Sequence, residues 1–207
     1  MTPHPPEPPR ELEPPLARGY GEEMMQKIGG LITAEGLAAM GERAQWTELV
    51  EGELIHMSPA SGSHGAIAAE IAWRVTQFVR ENKLGRCFVA ETGFLLATNP
   101  DTVRAPDFAF VSKDRLPQGR IPDGFFPGAP DLAVEVLSDS ETYGSIEGKL
   151  DDYFAGGAKL VWIVAPDTQE VRVYTDRQSA VALTMDDHLT GQSILPGFRC
   201  AVADIFV

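Results

Sequence analysis

The stretch "APDLAVEVL", Ala129 to Leu137, decides the fold. Its nearly unbroken apolar run reads as a buried strand, yet a glutamate, Glu135, stands in its interior. An ionised carboxylate buried without a partner is strongly unfavourable, so a compensating group is required beside it. Alternation along the strand puts Asp131, Ala133, Glu135 and Leu137 on one face, and Leu132, Val134 and Val136 on the other. Upstream, "APDFAFV", Ala105 to Val111, opens with the same three residues. Proline before each aspartate pushes the preceding alanine to extended backbone, so each phrase starts a strand on a carboxylate.

Asp131 and Glu135 are four residues apart, roughly 13 Å along a strand, too far to share one ion. Paired strands lie about 4.8 Å apart. If the two APD strands are neighbours, Asp107 and Glu135 come close enough to ligate one hard cation, with the Val136 carbonyl as a third oxygen. The competing reading makes Asp107 and Asp131 turn residues after proline and pairs Glu135 with an arginine such as Arg104. Spacing alone leaves both open.

Around these phrases the chain shows a regular order. "LITAEGLAAMG" from Leu31 predicts a short helix capped by Thr33, and "TELVEGELIHMS" predicts a hairpin about Glu51-Gly52. Apolar residues at Ile67, Ile71, Val75 and Phe78 predict a helix from His64 to Lys83. Three strands are then expected, "CFVAETGFLLAT", "VRAPDFAFVS" and "DLAVEVLS". A helix over Ser145 to Ala155 is stopped by Gly156-Gly157, and "LVWIVAP" and "EVRVYT" make a hairpin through Asp167-Thr168. The ending "LPGFRCAVADIFV" reads as a loop and a short docked element. This order predicts an α/β (α+β) fold: a mixed central sheet flanked by helices, with an N-terminal β-hairpin.

A length of 207 residues with a hydrophobic fraction of 43% suits one domain, placed at residues 21–207 behind a proline-rich leader, residues 1–20, expected to be disordered. No apolar run has membrane-spanning length and the N-terminus lacks a signal-peptide core, so a cytoplasmic protein is expected. Cys87 and Cys200 stand apart, without the spacing of a zinc site. A net charge of −13 argues against a protein that simply coats nucleic acid. A metal ion or a local cationic strip can still reverse the potential inside a cleft. No GxSxG or Cys/His nucleophile arrangement appears.

In the second helix, Ile146, Leu150, Tyr153 and Phe154 form the apolar stripe. Lys149 lies at its edge, where a lysine ordinarily reaches for water, and Asp151 and Asp152 point away. His64 opens the long helix on the side of Ile67 and Ile71, either as a helix-start histidine donating a hydrogen bond to a loop carbonyl or as part of a site.

Together, "ELVEGEL", His64 opening a helix, "APDFAFV", "APDLAVEVLSDS", "KLDDYFAGGAKLVWIV" and a late "LPGF" resemble the Uma-type putative restriction endonuclease family of the PD-(D/E)xK nuclease superfamily. The resemblance spans about Leu31 to Val207. It implies a restriction endonuclease-like core, a divalent ion (Mg²⁺ or Mn²⁺), and hydrolysis of phosphodiester bonds in DNA. It maps Asp107 and Glu135 onto the two acids. The superfamily pattern wants lysine two residues after the second acid, where this chain has Leu137; the family carries its lysine on the next helix, here Lys149. Glu48 and His64 match recurrent family positions that complete a metal shell or orient water. Asp131 matches as well, although its distance from Glu135 favours a structural role. A homodimer is expected by analogy with two-strand cleavage. Two alternatives keep the fold: an inactive nuclease-fold binding module, and a metal-dependent hydrolase of a smaller phosphodiester.

Overall fold

The computed structural model describes residues 27–28, 30–138, 141 and 143–206, so the proline-rich leader lies outside the described residues. A hairpin of β1 (Lys27–Ile28) and β2 (Leu31–Ile32) leads into α1 (Ala34–Ala39), where Thr33 Oγ1 accepts the Gly36 N–H at 3.0 Å as expected of its cap. β3 (Thr47–Val50) and β4 (Glu53–His56) form the expected hairpin. Its two-residue turn puts both Glu51 (φ 50°) and Gly52 (φ 81°) in the left-handed region. A Cβ on Gly52 would meet the Leu31 Cβ at 2.6 Å, so only glycine fits. α2 (Gly62–Asn82) begins two residues before His64 because Ser61 is the cap, accepting the His64 N–H at 3.3 Å.

Two segments expected as single strands are each divided. "CFVAETGFLLAT" contributes to β5 (Gly85–Val89) and β6 (Phe94–Ala97), and "VRAPDFAFVS" to β7 (Thr102–Arg104) and β8 (Phe108–Ser112). In both cases the halves join different sheets. The first break falls at Glu91, with φ 66°, and at Gly93, whose Cβ would lie 2.4 Å from the Phe125 ring. The second falls at Ala105-Pro106-Asp107, where Pro106 has no N–H to continue a ladder.

The chain continues through β9 (Phe126–Pro127), β10 (Leu132–Val136), α3 (Tyr143–Ala155), β11 (Leu160–Ala165) and β12 (Glu170–Tyr174). β13 (Ala180–Leu183) and β14 (His188–Gly191) follow in a stretch to which the sequence reading gave no element. The C-terminal reading needs correction in part: the expected loop is β15 (Leu195–Ala201), while the expected short docked element is the 3₁₀ turn over Val202–Ile205, with Val202 and Ile205 buried. Pro196 and Gly197 read as a loop, but Gly197 at φ 89° and a bulge beside Gly191 let the strand pass through them.

The central sheet has the order β13-β12-β11-β10-β8-β5, and the second sheet β4-β3-β7-β6-β9. β10 and β11 are parallel, with α3 as their crossover; the remaining pairs of the central sheet are antiparallel. α2 lays Ile67, Ile71, Val75 and Val79 on the Leu132, Val134 and Val136 face of β10. α3 lays Leu150 and Tyr153 on the opposite face, with Ala109, Ala133, Val161 and Ile163. The expected mixed sheet flanked by helices, with its N-terminal hairpin, is therefore the architecture. Among the described residues no helix is long and apolar enough to cross a membrane.

Asp131 takes the structural role. It is fully buried, its Oδ2 accepts the Ser112 N–H at 2.8 Å, and its Oδ1 lies 2.7 Å from Lys159 Nζ. These contacts hold its pKa below the usual carboxylate range despite burial. Asp131→Ala should lower the urea-unfolding free energy by about 2 kcal/mol, because the partly buried Ser112 N–H loses its acceptor and Lys159 its partner. Asp131→Asn, which keeps one acceptor, should lose less.

Candidate active site

Glu135 projects from β10 toward α3 and is 3% exposed. Two residues of α3, one turn apart, satisfy it: Lys149 Nζ donates to Oε2 at 2.8 Å and the Tyr153 hydroxyl donates to Oε1 at 2.6 Å. The edge lysine of the sequence thus turns inward. Its ammonium also donates to Glu141 Oε1 at 2.8 Å, and Glu141 Oε2 accepts the Ser138 N–H at 2.9 Å.

Asp107 stands at the break between β7 and β8. The antiparallel register pairs Phe108 with Val134, so the two APD strands are neighbours and Asp107 and Glu135 occupy the next positions on them, which was the condition for the pair to come together. Asp107 Oδ2 accepts the Val136 N–H at 2.7 Å and lies 3.2 Å from His64 Nε2. His64 also hydrogen-bonds the main chain at Val136. Its partners are therefore a strand and a carboxylate, not a loop carbonyl. Asp107, His64 and Val136 form a closed group at the end of α2.

Arg104 does not pair with Glu135. Its Nη1 donates to Glu48 Oε2 at 2.7 Å and its Nε to Asp152 Oδ2 at 2.8 Å. Asp152, expected to point away, turns toward β7 because the second sheet supplies this buried arginine. Glu48 Oε1 accepts the Ala105 N–H at 2.9 Å, so both oxygens of Glu48 brace the chain just before Asp107. The sequence reading gave Tyr153 a packing role and turned Asp152 away, and it gave Glu141 no role, so none of the three was taken as a site residue. The four-residue step from Lys149 to Tyr153 was the readable signal for the first; nothing local marked the other two.

The family model described as "Putative restriction endonuclease", Uma2, matches residues 35–203. The chain belongs to the Uma2 family. A solved structure, a putative nuclease belonging to DUF820 from Anabaena variabilis ATCC 29413, is 24% identical with a TM-score of 0.73. The match covers 84% of this chain and 97% of that one, and at this identity it shows a shared fold. Among curated proteins none matches this sequence.

The electrostatics of this Uma2 site are those of crowded negative charge. Burial pushes the Glu135 carboxyl up to about 7; the Lys149 ammonium opposes this, while the charges of Asp107 and Glu48 add to it. Burial works against the Lys149 charge, but Glu135 and Glu141 hold the ammonium well above its ordinary range. The hydrogen bond to Asp107 raises the His64 pKa, against the effect of burial. Among the described residues no three Asp, Glu, His or Cys side chains converge as a ready-made ion cage. A magnesium-type ion needs no such cage, since it binds through one or two carboxylates and keeps several waters. Two repelling carboxylates and a main-chain carbonyl fit that requirement: each Glu135 oxygen keeps a second lone pair beyond the one hydrogen bond it accepts, and Asp107, whose Oδ2 takes both the Val136 N–H and His64 Nε2, offers its Oδ1.

A pH dependence follows for the metal-free protein. Between about 4.5 and about 7 the folded state keeps the Glu135 proton and the unfolded state does not, so stability falls as pH rises through that window. The displacement corresponds to about 3 kcal/mol. His64 acts in the same direction, since its stabilisation is present below pH 6.5 and lost as pH rises through its higher folded value. Urea unfolding in a chelator should show this decline for the natural protein and a much flatter profile for Glu135→Gln.

Proposed function

We propose that this protein is a cytoplasmic Mg²⁺- or Mn²⁺-dependent endonuclease hydrolysing phosphodiester bonds in DNA. The observation that carries the reading is the Asp107–Glu135 pair, set on adjacent strands of a nuclease-family fold with the ammonium of Lys149 held against it. Asp107, Glu135 and the Val136 carbonyl are the oxygens that would hold the ion. When bound there, it supplies Lewis-acid polarisation of the scissile phosphate and a lowered pKa for an attacking water.

The chain's own groups do the rest. Lys149, kept charged by its carboxylate neighbours, donates to the non-bridging phosphate oxygens as negative charge develops. Tyr153 fixes the rotamer of Glu135 from beneath. His64, hydrogen-bonded to Asp107, orients that carboxylate and stands where it can position water. Glu48 acts at one remove, because its clamp on Arg104 and Ala105 sets the turn that presents Asp107. A homodimer would place two such sites on the two strands of a duplex.

One observation favours a second reading. Both oxygens of Glu135 already accept internal hydrogen bonds, so the cluster is also compatible with a self-contained ion-pair network in a non-cleaving binding module. Supercoiled plasmid incubated with Mn²⁺ or Mg²⁺ separates the two. Cleavage should occur with either ion and vanish in chelator, in Asp107→Ala and in Glu135→Ala, both of which should remain folded by circular dichroism. Lys149→Ala should lower kcat about a hundredfold or more while metal binding persists. Uncleaved plasmid under all conditions, or full activity in either acid variant, contradicts the assignment.

A further inference from the structure

The solvent-facing rim of the site consists of Asp107, His64, Lys149 and Glu141, whose side chains are 18%, 11%, 12% and 17% exposed, with Glu135 beneath them at 4%. Glu141 is the unexpected member. One of its oxygens accepts from the Lys149 ammonium and the other from the Ser138 N–H, at 2.8 and 2.9 Å. Its side chain keeps 17% of its surface exposed, and its charge raises the pKa of His64 as well as that of Lys149. In a site already crowded with carboxylates this further acid closes the turn that follows β10, where its N–H donates to the Ser138 carbonyl at 3.0 Å and its Oε2 also accepts the Ser138 hydroxyl at 3.5 Å, yet the turn alone gives no reason for its other oxygen to hold the Lys149 ammonium.

The geometry of its contacts supplies one. A carboxylate that spans an ammonium and a main-chain N–H makes the same pair of charge-assisted hydrogen bonds that two non-bridging oxygens of a phosphodiester would make. We propose that Lys149 Nζ and the Ser138 N–H form a phosphate subsite for the DNA backbone, filled in the free protein by the carboxylate of Glu141. The proposal rests on the nuclease reading and deepens it. Glu141 competes with substrate for Lys149 and keeps that lysine positioned while DNA is absent. On binding, a backbone phosphate displaces the carboxylate and leaves Lys149 bridging Glu135 and substrate.

The test is binding of a short labelled DNA duplex in EDTA, read by fluorescence anisotropy, so that no cleavage is needed. Glu141→Gln removes the competing charge and should tighten binding about five- to tenfold. In a Lys149→Met background the same substitution should change affinity little. Glu141→Asp, one methylene too short to span both donors, should fall between the natural protein and Glu141→Gln. Equal affinity of Glu141→Gln and the natural protein overturns the proposal. So does a tightening that persists without Lys149, which would reflect general charge removal, or a loss of Mn²⁺ affinity in Glu141→Gln by calorimetry, which would make Glu141 a ligand. Plasmid cleavage by the natural protein with Mn²⁺ reads the nuclease assignment separately: cleavage without tightening rejects only the subsite, and tightening without cleavage rejects only the nuclease.

Discussion

A carboxylate in the middle of a buried parallel strand is the constraint on which the rest of the structure depends. Glu135 has apolar strand neighbours on both sides and cannot reach bulk water, so its charge must be met from within the fold. The crossover helix that a parallel β10–β11 pair requires is what meets it. α3 packs its apolar stripe on the sheet and, in the same contact, brings Lys149 and Tyr153 onto Glu135 from successive turns. Fold topology and site chemistry are thus one interaction: moving the helix would strand the acid, and removing the acid would leave a buried ammonium with one carboxylate fewer.

The second constraint is the Ala105-Pro106-Asp107 corner. Because Pro106 has no N–H to carry a ladder onward, the chain leaves the second sheet at Arg104 and enters the central sheet at Phe108, with Asp107 between the two. Asp107 is held at that junction by the Val136 N–H in front and by the Glu48–Ala105 clamp behind. The chain Asp152–Arg104–Glu48, buried at Arg104 and Glu48, fastens α3 to β7 and β3 of the second sheet. Breaking a buried pair by removing one partner ordinarily costs about 3 to 5 kcal/mol, so these residues are expected to hold the corner whatever the site does.

The parts of this arrangement that alternate or recur locally were legible in the sequence. The face of β10 that carries Glu135, the N-terminal cap of α1 and the stripe of α3 all follow from period and turn chemistry, whereas the pairing of the two APD strands stood in the sequence only as a condition. What was not legible depends on sheet membership. Nothing in "VRAPDFAFVS" says that its two halves join different sheets, and so nothing local says that Arg104 belongs to Glu48 and Asp152 in place of Glu135. Tyr153 was hidden for a different reason: a tyrosine on an apolar stripe reads as packing until the acid beneath its hydroxyl is located. The C-terminal strand was hidden by Pro196 and Gly197, which a bulged strand tolerates but a regular one does not.

The central claim, that Asp107 and Glu135 form a cation site and not merely an internal ion-pair network, is tested most directly by thermal unfolding with and without Mn²⁺. An ion at a hundred times its Kd stabilises a native site by about 2.7 kcal/mol. For a chain of this size that corresponds to a rise in Tm of roughly 5 to 10 °C. The natural protein should show that rise at neutral pH, and Glu135→Gln, which keeps the shape and loses the charge, should show little of it. An equal rise in both proteins, or none in either, would contradict the claim.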